Sequence, residues 1–194
     1  MAYITPDSLM TLEAYAKARA GYRAEAMLHK QKRKVALGDH VTLLFEDELT
    51  IRYQIQEILR VEKVFEEGGI REELEAYNPL IPDGSNWKAT MLIEYPDVDE
   101  RSHMLKQLKG IERQVWVEVA GSTRVYAVAD EDMQRENAEK TSAVHFLRFE
   151  LDAAMRKLLR NGADIWMGVD HPLYTVRTAV MGDVRSALLN DFAD

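Results

Sequence analysis

The sequence predicts an α+β fold, with N-terminal helices packed on a mostly antiparallel C-terminal sheet and additional helices. Three observations carry that prediction. Apolar residues recur at helical spacing through most of residues 1–84. Short alternating runs dominate residues 85–194. Turn-forming Gly, Asn and Asp residues join those runs at hairpin-length spacing rather than through the long crossovers of a parallel sheet. At 194 residues with 46% apolar content, the chain is long enough to bury a real core, and it reads as a single domain and one folding unit.

The elements follow in order. Thr5-Pro6-Asp7 reads as a helix start, with a capping hydroxyl, a proline suited to the first turn and an acid at the positive end of the dipole. Leu9, Leu12 and Ala16 continue it, Gly21 interrupts it, and a second helical piece runs from Tyr22 to Lys34. Val41–Glu46 alternates as a strand. Asp47 caps a long central helix running to Glu67, where Gly68-Gly69 stops it. Ile51, Ile55, Ile58, Leu59, Val61, Val64 and Phe65 cover so much of its circumference that central burial or a homodimer interface is expected. A short helix, Arg71–Tyr77, precedes the stiff segment NPLIPDGSNWK. Strands then follow at Met91–Tyr95, Val115–Val119, Arg124–Ala129 and Val144–Glu150, with Gly121-Ser122-Thr123 as a hairpin turn. Asp97–Lys109 reads as a helix stopped by Gly110, and Asp152–Arg160 as one stopped by Asn161-Gly162. Ile165–Val169 and Tyr174–Val180 read as strands separated at Asp170-His171-Pro172, and Asp183–Phe192 as a closing helix.

Composition excludes several function classes. The net charge is −8, and the chain has no cysteine. An acidic surface repels phosphate, which argues against nucleic acid and anionic membrane partners. Without thiols the chain cannot itself build a disulfide, a thiolate zinc site, an iron–sulfur cluster or a cysteine nucleophile. MAYITPDSLM has no leader-peptide pattern, and no apolar run is long enough to span a bilayer. A bacterial, cytoplasmic protein is expected.

Four runs carry a family resemblance: KRKVALGDHVTLLFEDELTIRYQIQEILRVEKVF, EAYNPLIPDGSNWKATMLIEYPDVDER, EKTSAVHFLRFE and GVDHPLY. With them the chain resembles, over nearly its whole length, the uncharacterised bacterial family called domain of unknown function 3501. The resemblance carries over no catalytic residue. It implies a redox or peroxide-stress setting, with a rubrerythrin-like or iron–sulfur redox protein as partner.

The candidate chemistry lies in the second half and on the central helix. His145, His171 and Glu94 are the residue types that hold a non-haem metal, although none stands at a short ligand spacing. The alternative for His145 is a core histidine bonded to a backbone carbonyl. Arg52, Gln56 and Arg60 recur along one side of the central helix. They form either an internal polar network or the wall of a pocket for an anion. Trp87 and Lys88, on the stiff segment, would rim that pocket. Its floor would be Arg52, Gln56, Arg60, Glu94 and His145, with Glu94 or His145 as acid or base. The basic run His29–Lys34 reads as a solvated helix end or a phosphate contact. Ser85, Thr141 or Ser142 with Lys88 or Lys140 would be a nucleophile and base, but no nucleophile-elbow motif supports them. Asp130-Glu131-Asp132 reads as a helix start or a Mg²⁺ site, and the methionines as core filler. Two functions fit: an accessory or binding component of a redox system, or a small metal-dependent or acid/base enzyme acting on an anion between the central helix and the sheet.

Overall fold

A computed structural model describes residues 3–129 and 140–193. It shows the α+β fold expected. The chain opens with a 3₁₀ turn, Pro6–Ser8, then α1 (Leu12–Gln31), the hairpin β1 (Lys34–Leu37) and β2 (Val41–Phe45), α2 (Glu48–Glu62) and α3 (Glu67–Tyr77). A second 3₁₀ turn, Asn78–Leu80, leads to β3 (Asn86–Ile93), α4 (Val98–Gln107), a third 3₁₀ turn and β4 (Val115–Val119). The rest is β5 (Val125–Tyr126), β6 (Val128–Ala129), β7 (Val144–Glu150), α5 (Ala153–Arg160), β8 (Ile165–His171), β9 (Tyr174–Val180) and α6 (Gly182–Leu189). Among the described residues no helix is long and apolar enough to cross a membrane.

The strands form two antiparallel sheets, one of five strands in the order β1-β2-β3-β7-β6 and one of four in the order β5-β4-β8-β9. One core lies between them. Trp87, Met91, Leu147 and Phe149 of the first sheet share it with Val117, Ile165 and Met167 of the second, and Leu108, Met155 and Leu188 from the helices join it. A separate helical core gathers Ile51, Ile55 and Leu59 of α2 with Ile4, Leu74 and Ile81.

Local chemistry explains where the sequence reading and the structure part. Gly21 does not break α1. An exposed helical glycine costs about 1 kcal/mol, and the helix is instead fastened to α2. Tyr15 Oη donates to Glu57 at 2.7 Å, and Arg19 donates to both oxygens of the same carboxylate. Asp47 does cap α2, in a reciprocal pair with Thr50. The helix ends earlier than expected, at Glu62, because Lys63 takes the left-handed conformation with φ 57°. Gly68 and Gly69 lie inside α3. A Cβ on Gly69 would come 2.7 Å from Val64 Cγ1, so this glycine serves the close approach of the 63–66 turn. The helix expected to reach Lys34 ends at Gln31, and Lys34–Leu37 form a strand not foreseen, in which Val35 and Leu37 alternate inward against exposed neighbours. β3 begins at Asn86, five residues ahead of the strand expected at Met91.

Trp116 lies flat across Gly168, its partner in register, and the Arg124 guanidinium stacks on the indole 3.9 Å from its centroid. A Cβ on Gly168 would strike both the Trp116 ring and the Val176 carbonyl. Gly168→Ala is therefore expected to cost about 1–3 kcal/mol, read as a lower urea midpoint with an unchanged slope.

Candidate functional site

The polar chemistry of the first sheet is on its outer face. Along β3, Trp87, Ala89, Met91 and Ile93 are buried inward, while Lys88, Thr90 and Leu92 face the other way. Along β7, His145, Leu147 and Phe149 point inward and Phe146 and Arg148 outward. Lys88 and Arg148 are direct cross-strand partners. Two like charges directly opposite each other in a sheet are unfavourable, so each needs relief. Arg148 pairs with Glu150. Lys88 donates from Nζ to the Pro79 carbonyl at 2.6 Å and the Ile81 carbonyl at 2.8 Å. This second pair of bonds straps the Asn78–Ile81 segment over the sheet.

Between that strap and the sheet lies a cleft of about 320 Å³, lined among others by Leu80, Val128, Phe146, Lys88, Arg148 and Glu46. Glu46 is only 2% exposed. Its two oxygens accept from Thr90 Oγ1 at 2.6 Å and Thr50 Oγ1 at 2.5 Å, so the carboxylate ties β3 to the first turn of α2. Burial lowers the pKa of the Lys88 ammonium; Asp83 opposes the shift and Arg148 adds to it. The cleft thus presents two cations and a buried carboxylate beside apolar walls.

The other expected site residues are distributed differently. Arg52 donates to Glu48 and to the Ser8 carbonyl, holding the N-terminal 3₁₀ turn on α2. The Gln56 amide takes both backbone groups of Met10, accepting from its N–H and donating to its carbonyl. Arg60 lies half-buried on α2 and helps lower the Glu57 carboxyl. Trp87 is fully buried, donates from Nε1 to the Leu188 carbonyl and packs on Phe192. Glu94, past the end of β3, accepts from Thr42 Oγ1 at 2.8 Å. His145 faces the opposite side of the same sheet, where Nε2 lies 3.0 Å from the Ser142 carbonyl and 2.9 Å from Thr141 Oγ1. A carbonyl only accepts, so Nε2 carries the proton. His171 is buried at the end of β8 and its Nδ1 accepts from the Leu173 N–H. No hydrogen bond or ion pair joins the side chains of these eight residues to one another, and Lys88 alone of them lines the 320 Å³ cleft. Among the described residues, no three of His, Asp and Glu gather as a metal-holding group. Asp130-Glu131-Asp132 lies outside the described residues. Ser85 serves the turn, donating to Asp83.

A second polar centre escaped the sequence reading. Arg33, at the end of the basic run, is 2% exposed. It donates to the Phe45 and Glu46 carbonyls and pairs with Asp191 at 2.6 Å. Asp47 lies 3.4 Å from the guanidinium, and its Oδ2 also meets His29 Nε2 at 2.5 Å. The sequence signal was thin: a lone Asp191 at the close of an apolar helix is the one hint.

These features define an α+β protein of two antiparallel sheets, with a cation-walled cleft on one of them and, among the described residues, no metal-holding group of His, Asp and Glu. The chain belongs to the family described as Protein of unknown function (DUF3501), whose sequence profile matches residues 3–192. It is similar to a crystal structure, determined at 1.90 Å, of a novel protein of unknown function from Burkholderia pseudomallei K96243. The two are 52% identical, with a TM-score of 0.94 over 99% of this chain and 100% of that one. No curated protein matches.

The Arg33 centre makes a pH prediction. Burial pushes the Asp191 carboxyl up to about 6, against the pull of Arg33. The folded state therefore favours protonated Asp191. Its contribution to stability is fully present below the ordinary value of 3.8 and is lost as pH rises through about 6. In urea titrations, Asp191→Asn should gain on the parent protein between acid and neutral pH, by up to about 3 kcal/mol.

Proposed function

We propose that the protein is a binding component that holds a small anion in the Lys88–Arg148 cleft. The observation that carries this reading is the cross-strand register of the two cations on a cleft wall. Glu150 and the two strap carbonyls meet these cations in part, and an anion between them would further offset the repulsion and add charge-assisted hydrogen bonds. Phe146, Leu80 and Val128 supply the apolar wall that a small organic anion would lie against. The redox or peroxide-stress setting follows from the family resemblance. With no cysteine of its own, the chain would serve a rubrerythrin-like or iron–sulfur partner that supplies the electron-transfer centre.

The enzyme alternative, with Glu94, His145 and His171 in one cleft, finds no comparable support. Glu94 and His145 bond to different partners on opposite faces of the first sheet.

The test is titration calorimetry and thermal shift with a panel of small anions, including phosphate, glycolate and lactate, at low and moderate salt. At least one should raise Tm in a saturable way in the parent protein. Arg148→Gln should weaken that binding by about tenfold or more, a loss of the order of one charge-assisted bond. An absence of saturable binding across the panel, or equal binding by the variant, would remove the reading.

A further inference from the structure

We propose that Lys88 is a nucleophilic lysine, and that the cleft takes a small carbonyl compound bearing an anionic group, held as a reversible imine on Lys88 Nζ with its anionic end on Arg148. The inference rests on the anion-binding reading above and names the ligand class.

Stereochemistry is the first argument. A neutral amine has two N–H bonds and one lone pair. Lys88 Nζ has two backbone acceptors, the Pro79 and Ile81 carbonyls, at 2.6 and 2.8 Å. Donation to both fixes the nitrogen and leaves its lone pair on the remaining tetrahedral position, away from the strap. Among the described residues no side-chain carboxylate is hydrogen-bonded or ion-paired to this amine, and Asp83 and Glu150 act on it only through their charge. Asp83 is engaged instead by Ser85 and Asn86.

Environment is the second argument. Lys88 lines a cleft with Phe146, Leu80 and Val128 and has Arg148 directly across the ladder. An apolar wall and a neighbouring cation raise the share of neutral, nucleophilic amine in equilibrium with the ammonium, against the opposing charges of Asp83 and Glu150. The lowered Lys88 pKa agrees with that placement. Arg148 has a second use, because a planar guanidinium binds a carboxylate or phosphate in bidentate fashion. A lysine and an arginine in cross-strand register on one cleft wall suit a small molecule that carries both a carbonyl and an anionic group, as a 2-oxo acid does.

The step balances without an oxidant. The Nζ lone pair adds to the carbonyl carbon, and the π pair moves to oxygen, which takes up a proton. The amine loses one proton on addition. The resulting hydroxyl leaves as water with a proton from solvent, and the nitrogen lone pair forms the C=N bond. The protonated imine keeps one N–H for one of the two carbonyls of the strap.

The experiment incubates the full chain with glyoxylate and sodium cyanoborohydride near neutral pH, then maps carboxymethylated lysines by peptide mass spectrometry. Hydride reduction of the C=N bond leaves a carboxymethyl group on each lysine that had formed an imine. Lys17, whose side chain is 77% exposed, is the internal reference. Lys88 should be labelled several-fold faster than Lys17, excess glycolate should slow it, and Arg148→Gln should slow Lys88 without changing Lys17. Labelling of Lys88 no faster than Lys17 overturns the imine. A parallel glycolate titration separates the two failures: saturable binding with no preferential adduct leaves the anion site standing, and neither result removes both. Because the wild-type chain carries the decisive comparison, no variant has to fold for the proposal to fail.

Discussion

The Arg33 guanidinium is a full positive charge placed where solvent scarcely reaches it, and much of the structure is arranged around satisfying it. Taking such a group out of water costs several kcal/mol unless its N–H bonds and its charge are both met. Here the end of β2 supplies the Phe45 and Glu46 carbonyls, the Asp47 cap of α2 supplies one nearby carboxylate and Asp191 another. The end of α1, the end of β2, the start of α2 and the segment after α6 therefore have to meet at one point. That meeting brings Leu188 and Phe192 onto Trp87, which closes one end of the core between the sheets. Substituting any one partner would leave the others buried and underpaired.

What the sequence revealed, and what it hid, divides along physical lines. The capped start of α2 and the hairpin-rich second half were legible, because each depends on local chemistry, an Asp side chain and a period of two, while α4 ends at Gln107, three residues before the glycine expected to stop it. Gly68-Gly69 misled, because glycine also marks close approach, and Val64 needed the room. Trp87 and Lys88 looked like neighbours on a loop, yet the pleat sends them to opposite faces, one to the core and one to the cleft. Of the eight residues expected in a site, only Lys88 lines the cleft. Its cross-strand partner, Arg148, is sixty residues on, and nothing short of strand register could have paired them.

The cleft also shows how a surface feature is held in shape by groups that take no part in its chemistry. Glu46 is saturated by two threonines, one on the strand and one on the helix. It fixes the distance between α2 and the first sheet, and so the floor over which the Asn78–Ile81 strap is drawn. A rigid frame of this kind limits the reorganisation needed to hold a small molecule. The proline-bearing segment, whose Trp87 and Lys88 were expected to rim a pocket, is tied to the sheet by Lys88.

One further feature bears on how the chain behaves in a crowd. The edges of the two sheets come together at β1 and β9, where their backbones are not laddered to each other. Side chains do the joining: Tyr174 Oη donates to the Leu37 carbonyl and accepts from the His40 N–H, and Thr178 Oγ1 donates to the Ala36 carbonyl. Open strand edges are templates for foreign strands and for self-association into fibrils. A tyrosine and a threonine here occupy hydrogen-bonding sites that an intruding strand would need, so two hydroxyl groups block part of this edge.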